Sequence, residues 1–291
     1  MRGVLVQAVA FTLLAALGVG CDGAPSASPS PPPSPVPPPP AGPSRPDCTT
    51  SAAQGRCGPY DSYPRITGTT SSTYVGNNVW SPIDGWRQTL AVTNPGQWAT
   101  TANIPDGNTS VVSYPSVGAN YGRITNEPTP LTDYSSLYSS FSEVMHPTPG
   151  TSAWATYDIW LGQNHCSPSS TTDCASYEVM IQHDFANNGA CSTRATASFG
   201  GSNGVPVQRW HLCTYGSELI WKLGGDDEHK ISENSGSVDI LAMLTWLVDH
   251  RYLPEETGLW LIGYGWEICS TGGSDERFAI NEFSLTPTIS R

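Results

Sequence analysis

The folded part of the chain is a succession of short apolar runs separated by turn residues. From about residue 64 onward, runs rich in Val, Ile, Thr, Tyr and Trp alternate with Gly, Asn, Pro and Ser, a pattern that predicts short β-strands. The predicted strands cover 73–80, 88–93, 110–114, 153–161, 176–183, 207–214, 218–223, 259–266 and 278–286. Because helices do not alternate with these strands, the pattern predicts an all-β fold, a two-sheet antiparallel β-sandwich.

One segment follows the helical period instead. Its apolar residues are spaced i, i+3, i+4, i+7 and i+8, which predicts an amphipathic helix over 238–251. These residues are Ile240, Met243, Leu244, Leu247 and Val248. Ser237 is the expected N-cap, and Pro254 prevents the helix from continuing. Such a helix must bury its apolar stripe against the outside of a sheet.

The first 46 residues predict export and attachment. Arg2 precedes an almost wholly apolar run over 4–19, which is too short to favour a membrane span and is typical of a secretory signal. Cys21 directly follows small residues, so we expect a signal peptide over 1–20 and a lipid anchor at Cys21. Ordinary secretion, with cleavage after Ala24, is the alternative.

A proline- and serine-rich tract follows over 24–46 and favours an extended polyproline II spacer. Residues 21–46 are therefore interpreted as anchor and linker, and 47–291 as one exported domain, located outside the cell or at its surface. We expect this domain to be a monomer.

The net charge and the composition indicate which classes of partner the protein binds. Charged residues make up only 13% of the chain and the formal net charge is −12, which disfavours nucleic acid and anionic lipid headgroups. A membrane is therefore expected as a partner only through the lipid at Cys21. The chain also has 10 Trp and 12 Tyr, and aromatic faces commonly hold sugars. This composition suits a neutral polysaccharide.

The chain has eight cysteines, and an exported protein is expected to oxidise them where geometry allows. Proximity in sequence favours the pairs Cys48–Cys57, Cys166–Cys174 and Cys191–Cys213. With Cys21 acylated, this pairing leaves Cys269 free. No CxxC pair or HExxH motif occurs, so neither a metal site nor a cofactor is expected.

Three acidic residues occupy mid-strand positions, where charged side chains are uncommon: Asp158, Glu178 and Glu267. Successive strand residues point to opposite faces, so each acid shares a face with the residues two positions away. Those neighbours are Thr156 and Trp160, Met180 and Gln182, and Gly263 and Gly265. An aromatic side chain can stack on a sugar, and glycines allow a close approach to the backbone. The pattern indicates either a polar site or acids that simply face solvent.

Glycoside hydrolysis is a chemistry that suits such acids. It needs one protonated carboxyl, to assist the leaving oxygen, and one ionised carboxyl. A third acid can hydrogen-bond to the nucleophile and control its protonation through coupled titration. Asp275, Glu276 and Glu282 are rivals to Glu267 but sit in or after a glycine-rich loop. His183 is a rival base, although a scattered histidine is more often structural.

The segments around the three acids resemble glycoside hydrolase family 12, the small β-jelly-roll endoglucanases and xyloglucanases. Residues 74–80, Tyr-Val-Gly-Asn-Asn-Val-Trp, are similar to the Tyr-x-Val-x-Asn-Asn-x-Trp run of that family and one residue tighter. Further matches follow in family order at 113–117, 156–158, 177–181, 265–268 and 279–284. The resemblance implies a jelly roll with the helix on the outer sheet. It also implies retaining, endo-acting cleavage of a β-1,4-glucan such as cellulose, xyloglucan or mixed-linkage glucan.

The resemblance also implies a role for each matched residue. Glu178 would be the nucleophile, Glu267 the general acid and then base, and Asp158 the support of Glu178. The two catalytic carboxyls of a retaining enzyme are expected about 5–5.5 Å apart. The implied substrate-binding residues are Trp80, which would stack on a glucosyl ring on the non-reducing side of the cleavage point, Asn78 beside it, and Met180 beside the nucleophile.

The chain departs from the family pattern beside the catalytic pair. Gln182 and His183 stand where the family usually has Trp, and could hydrogen-bond to sugar hydroxyls instead. Ile268 and Cys269 stand where Pro and an aromatic residue are usual, and 166–174 is interpreted as an added loop. These changes motivate an alternative, a non-catalytic carbohydrate-binding module or lectin on the same sandwich. A cell-wall structural protein is supported only by the linker.

Overall fold

A computed structural model describes residues 48–60, 73–121, 128–163, 175–187, 191–202, 204–224 and 234–290. The predicted signal, lipid anchor and linker lie outside these residues, as do Cys166, Cys174 and the predicted loop that contains them. No helix in the described part is long and apolar enough to cross a membrane.

Two large sheets form the described part of the molecule, which confirms the predicted sandwich. The smaller has six strands in the order β1-β4-β5-β16-β8-β14. The larger has ten, in the order β11-β12-β13-β10-β9-β15-β6-β3-β2, with β7 paired to β15. The strands of the smaller sheet are β1 (Cys48–Thr50), β4 (Arg87–Asn94), β5 (Gln97–Asn103), β8 (Tyr134–Met145), β14 (Ser235–Asp239) and β16 (Glu276–Ile289). Those of the larger sheet are β2 (Arg56–Tyr60), β3 (Thr73–Gly76), β6 (Ser116–Asn120), β7 (Thr129–Pro130), β9 (Thr151–Gln163), β10 (Ala175–Ala186), β11 (Thr193–Phe199), β12 (Gln208–Tyr215), β13 (Glu218–Leu223) and β15 (Thr257–Thr271).

Strict alternation of side chains separates the core from the outer faces. In β9 the odd-numbered residues from 153 to 161, among them Tyr157 and Ile159, are fully buried in the main hydrophobic core. In β13 the same holds for Leu219, Trp221 and Leu223. The even-numbered residues of both strands therefore lie on the opposite face of the larger sheet.

One pairing departs from an antiparallel sheet. β10 and β13 run parallel, with Val179 opposite Leu219 and Gln182 opposite Lys222. Parallel neighbours cannot be joined by a tight hairpin, and here β11 and β12 intervene between them in sequence. The parallel pair brings the strand of Glu178 against a strand that lies far along the chain.

A single α-helix, α1 (Ile240–Asp249), is present in the described part, but it begins later than predicted. Val238 lies in β14 and pairs with Ser139 of β8. The N-cap is Asp239 and not Ser237, since the Asp239 side chain accepts a hydrogen bond from the Ala242 backbone N–H at 3.0 Å. Residues 235–239 are extended because they pair with β8 at the edge of the smaller sheet. This pairing outweighs their local helix propensity.

The helix buries the predicted stripe. Ile240, Met243, Leu244 and Leu247 join the main core. Trp246 makes an edge-on contact with Trp221 of β13, with ring centroids 5.1 Å apart. The helix also packs beside β8, so it contacts both sheets.

The predicted strand over 110–114 is wrong, because only Ser113 is paired there, in isolated bridges to Val79 and Ile268. The predicted strand over 73–80 stops at Gly76. Asn78 has a φ of 46°, a left-handed backbone that no strand continues through.

Candidate active site

The three predicted acids come together because β9 lies between β10 and β15. Asp158 faces Met180 of β10 on one side and Gly263 of β15 on the other. Glu267 faces Trp154 across the β9–β15 pair. All three carboxyls therefore project from the same face of the larger sheet, away from the core. We call this surface the carboxyl face.

Asp158 and Glu178 form a directly interacting pair. Asp158 is buried, its Oδ2 accepts a hydrogen bond from Trp160 Nε1 at 3.0 Å, and its carboxyl also contacts that of Glu178. Burial raises the pKa of both carboxyls, and for Glu178 the negative charges of Asp158, Glu218 and Glu267 raise the pKa further. Two acids so close release their protons in separate steps, so one proton is held by the pair over a wide range of pH.

Glu267 is buried more deeply, with 4% of its surface exposed. Burial, and then the charge of Asp158, hold the pKa of Glu267 well above its usual range. Two groups oppose this shift: Trp154, whose Nε1 donates to Oε2, and the ammonium of Lys222. The balance favours a protonated carboxyl with a fixed orientation, which is the state that a general acid needs.

Aromatic side chains cover the Glu267 end of the carboxyl face. Trp80 is half-buried and packs on the small cluster that contains Trp154 and Cys269. Its ring lies 5.7 Å from that of Tyr114, centroid to centroid. The Tyr114 backbone N–H donates to Asn78 O at 2.9 Å, which ties the left-handed Asn78 to this group.

The glycines of β15 make room for the chain itself. A Cβ at Gly265 would lie 2.1 Å from the carbonyl oxygen of Pro115, and one at Gly263 would lie 3.2 Å from the Tyr114 ring. The Tyr114 hydroxyl donates to Thr156 O at 3.1 Å. The close approach indicated by these glycines is therefore made by residues 114–116, which set Tyr114 against the site.

The remaining predicted binding residues lie on the same face. Met180 is buried in a cluster with Ile220 and Cys213. Gln182 is fully buried, with its Nε2 4.0 Å from the Met180 sulfur. Trp160 is half-buried beside Asp158. Their roles toward substrate stay predictions.

His183 lies elsewhere. Its ring is fully buried between the two sheets, stacked on Phe141 with centroids 3.9 Å apart, and its Nδ1 is 3.6 Å from Glu143 Oε1. A register shift between Gln182 and Asp184 interrupts β10 here. The hypothesis that His183 hydrogen-bonds to a sugar on the carboxyl face is therefore wrong, because the ring points into the core.

The rivals to Glu267 are also placed apart. Exposed Asp275 pairs with Arg87, Oδ1 to Nη2, at 2.6 Å. Glu276 and Glu282 lie on β16 of the smaller sheet, where Glu276 accepts a hydrogen bond from Thr151 and Glu282 is exposed. None of the three adjoins Asp158 or Glu178 in the described part.

Three further polar residues on this face were missed: Glu218 and Lys222 of β13, and His211 of β12. Glu218 extends the parallel register next to Glu178, and Lys222 faces both Gln182 and His211. Burial and the charge of Asp158 raise the pKa of Glu218 to about 7. The available signal was the spacing of Glu218 and Lys222, which places both side chains on one face of a strand.

The disulfide pattern agrees with the prediction at one pair and contradicts it at another position. Cys191 and Cys213 are bonded, with Cα atoms 5.9 Å apart. Cys57 is also disulfide-bonded, whereas the predicted partner side chain, Cys48, lies outside the described side chains. Cys269, predicted to be free, is disulfide-bonded too. Pairing by proximity in sequence fails here because a buried cysteine late in the chain is brought to its partner by the fold.

Comparisons with known proteins identify the fold. No protein-family model matches the chain, and no curated protein sequence matches it. Among solved structures, a family 12 xyloglucanase from Bacillus licheniformis superposes with a TM-score of 0.63 at 20% identity, over 83% of this chain and 100% of that one. The catalytic domain of Humicola grisea Cel12A, in complex with a thio cellotetraose, gives 0.61 at 19% identity over 82% and 99%.

The xyloglucanase domain of NopAA, a type three effector from Sinorhizobium fredii in complex with cellobiose, gives a TM-score of 0.57 at 22% identity. It covers 82% of this chain and 98% of that domain. The chain therefore has the β-jelly-roll fold of the family 12 glycoside hydrolases, as the resemblance in sequence implied.

Proposed function

We propose that the protein is a family 12 glycoside hydrolase, a retaining endo-acting enzyme that cleaves β-1,4-glucan-type polysaccharide. The observation that carries the proposal is the arrangement of Asp158, Glu178 and Glu267 on one face, with one carboxyl pair and one separately buried acid. The solved structures that share this fold support the substrate class, because they include xyloglucanases and an endoglucanase, and two of them hold cellobiose or a thio cellotetraose.

In the first step, the ionised carboxylate of Glu178 attacks the anomeric carbon. The glycosidic carbon–oxygen bond breaks, and Glu267 gives its proton to the departing oxygen. The product is a covalent glycosyl ester of Glu178. The two carboxyls hold one proton between them, and this proton must pass to Asp158 for Glu178 to attack as the carboxylate.

In the second step, a water molecule attacks the same carbon. Glu267, now ionised, takes a proton from this water, and the ester bond to Glu178 breaks. Both carboxyls return to their starting states. The burial of Glu267 and the nearby charge of Asp158 support this cycle, since they favour return of the proton.

Substrate contacts are proposed for the residues that surround the acids. Trp80 stacks on a glucosyl ring on the non-reducing side, with Asn78 beside it. Met180 and Gln182 line the floor next to Glu178, and Trp160 flanks Asp158. Gln182 stands where the family usually has an aromatic residue, so the site has no stacking face at that position, which suits a branched or mixed-linkage chain.

The test is activity of purified protein on cellulose, xyloglucan, barley-type glucan and mannan, with the products identified. Glu178→Gln is expected to abolish turnover, because the amide cannot act as nucleophile. Glu282→Gln, the same change at an exposed carboxyl of the smaller sheet, serves as the control. Near-normal turnover in Glu178→Gln would refute the assignment.

The alternative is a carbohydrate-binding module or lectin, favoured by the departures from the family pattern at Gln182, His183 and Cys269 near the catalytic pair. It predicts binding to the same polysaccharides without release of new reducing ends. Measuring both quantities on one sample separates the two functions.

We also propose that the domain over 47–291 is exported as a monomer and held outside the cell by a lipid on Cys21. Labelling with a radioactive fatty acid tests the anchor, with Cys21→Ser as the unlabelled control. An unlabelled wild-type protein found in the medium would favour ordinary secretion.

A further inference from the structure

The hairpin between β12 and β13 places an aromatic ring beside a carboxyl. Tyr215 and Glu218 face each other in register on either side of the two-residue turn Gly216-Ser217. Gly216 has a φ of 58°, which suits the left-handed backbone of such a turn. The hairpin therefore fixes Tyr215 and Glu218 as a directly opposed pair.

Both side chains project from the carboxyl face. Leu212 and Leu219 lie in the main core. Each is an odd number of residues from Tyr215 or Glu218 on the same strand, so it faces the opposite side of the sheet. Cys213, two residues before Tyr215, packs with Met180 on the carboxyl face. By alternation, Tyr215 and Glu218 join Cys213 on that surface.

The two residues differ in exposure in a way that suits a ligand. Tyr215 is 43% exposed, one of two large apolar side chains in the described part that are so open. Glu218 is 7% exposed, and its Oε2 has no hydrogen-bond partner among the described residues. An open ring beside a buried acceptor without a partner provides a stacking face and an unsatisfied hydrogen-bonding group.

Glu218 is also part of the charge system of the acids. It lies next to Glu178 across the parallel β10–β13 pair, and its negative charge raises the pKa of Glu178 and of Glu267. Its burial is close to that of Asp158 and Glu267, which are 6% and 4% exposed. A group at this depth is therefore as accessible to a bound sugar as the catalytic acids are.

The β12–β13 hairpin and Trp80 lie on opposite sides of the three acids. In the larger sheet, β13 and β12 lie on one side of β10, whereas β15, β6 and β3 lie on the other. Trp80 follows β3 and packs near Glu267 on the second side. The acids thus stand between two aromatic side chains, Trp80 and Tyr215.

We propose that Tyr215 and Glu218 form a further sugar-binding subsite, on the leaving-group side of the cleavage point. Tyr215 stacks on a neutral β-linked glucosyl unit, and the Glu218 carboxylate accepts a hydrogen bond from one of its hydroxyls. This inference rests on the proposed function, because the leaving-group side is defined by Trp80 holding the non-reducing side.

The test compares two substrates on Tyr215→Ala and Glu218→Gln. Cellopentaose occupies subsites on both sides, whereas 4-nitrophenyl β-cellobioside places only an aryl group on the leaving side. For Tyr215→Ala, kcat/KM on cellopentaose is expected to fall about fivefold to tenfold, the usual worth of an aromatic stack. On the aryl substrate it is expected to stay within about twofold. Glu218→Gln is expected to give the same contrast.

Matched controls separate contact from structure. Tyr215→Phe keeps the ring and is expected to retain most of the activity on cellopentaose. Val207→Ala removes the other exposed apolar side chain, and Glu282→Gln removes an exposed carboxyl of the smaller sheet. Both are expected to leave the ratio of the two substrates unchanged.

Equal losses on both substrates, or no loss on cellopentaose, would overturn the subsite while leaving the proposed function intact. A wild-type protein that cleaves neither substrate would overturn the proposed function. In that case, cellotetraose titrated into wild type and Tyr215→Ala decides the subsite, since equal affinities would refute it and weaker binding to the variant would support it.

Discussion

The Trp154 indole donates its Nε1–H to the Glu267 carboxyl, and the two residues face each other directly across the β9–β15 pair. The two residues are cross-strand neighbours, so their side chains meet without any change in the register of the pair. Both are buried, so the hydrogen bond fixes the Glu267 carboxyl without competition from water.

Trp154→Phe is expected to move the alkaline limb of the kcat/KM profile to higher pH. The indole hydrogen bond lowers the pKa of Glu267, so its loss raises that pKa and keeps this proposed general acid protonated to higher pH. We also expect kcat to fall about tenfold, because Oε2 loses the partner that orients it.

The measurement is a pH–rate profile on a soluble β-glucan. Trp160→Phe is the matched control, because it removes the same donor from Asp158 and not from Glu267. An alkaline limb that moves equally in both variants would contradict a specific role for Trp154.

Asp158→Asn is expected to move the whole pH–rate profile to lower pH. The charge of Asp158 raises the pKa of Glu178 and that of Glu267, so removing it lowers both. We expect kcat to fall about tenfold or more, since Glu178 loses the contact that keeps it oriented. A profile unchanged in position would show that Asp158 does not act on the pair.

Glu143→Gln is expected to make the protein more stable at alkaline pH. Glu143 lies between the sheets, accepts a hydrogen bond from the Tyr264 hydroxyl at 3.1 Å, and also faces His183 and Asp184. Burial, and then the charge of Asp184, hold the pKa of Glu143 well above its ordinary value.

The sign of the effect follows from proton linkage. Because the folded pKa is higher than the unfolded one, the native state binds more protons, and stability is lost as pH rises from about 4.5 toward the folded pKa. Urea unfolding between about pH 5 and pH 9 should show this decline in wild type and a flatter curve in Glu143→Gln. An equally steep decline in the variant would contradict the prediction.

Removal of the Cys191–Cys213 disulfide, as Cys191→Ala with Cys213→Ala, is expected to lower the free energy of unfolding by about 3 kcal/mol. The crosslink spans 22 residues and restricts the unfolded chain. Cys213 also packs on Met180 beside Glu178, so kcat is expected to fall as well. Urea unfolding measures the first effect, with Ser192→Ala as a neighbouring control. Identical midpoints for variant and wild type would show that the bond adds no stability.

Alternation along single strands was enough to predict which acids share a face. Tyr157 and Ile159 beside Asp158 and Val179 beside Glu178 are fully buried, and Tyr177 is partly buried against the core. The direction of each carboxyl therefore followed from local sequence. The same alternation already sets His183 on the core side, opposite to Gln182. This alternation is inconsistent with the hypothesis that His183 binds sugar on the carboxyl face.

Strands rich in small polar residues were not predicted. β8 buries Tyr134, Leu137 and Phe141. Serines stand between these residues and lower the local β-propensity, so the sequence pattern does not predict a strand there. Such a strand forms because β16 and β14 pair with its two edges. That support comes from residues far along the chain.

Glu218 was missed for a related reason. Its local pattern shows only a carboxyl at the start of an apolar strand, and nothing in 218–223 indicates which strand lies beside it. The parallel pairing with β10 that makes Glu218 a neighbour of Glu178 depends on the tertiary fold. Register between distant strands cannot be predicted from the period of either strand.

The parallel β10–β13 pair also affects how the chain must fold. β10 ends at Ala186 and β13 begins at Glu218, so the segment between them must close a long loop before the two strands can pair. Loop closure of this kind costs entropy that is repaid only when the pairing is complete, which makes it a slow step. Trp160 and Asp158 can flank Glu178 as soon as β9 and β10 meet, whereas Glu218 arrives only after the β12–β13 hairpin has docked. A partly folded chain would therefore leave one edge of β10, the strand of Glu178, unpaired. The folding rate and the assembly of the proposed active site then depend on the same strand pair.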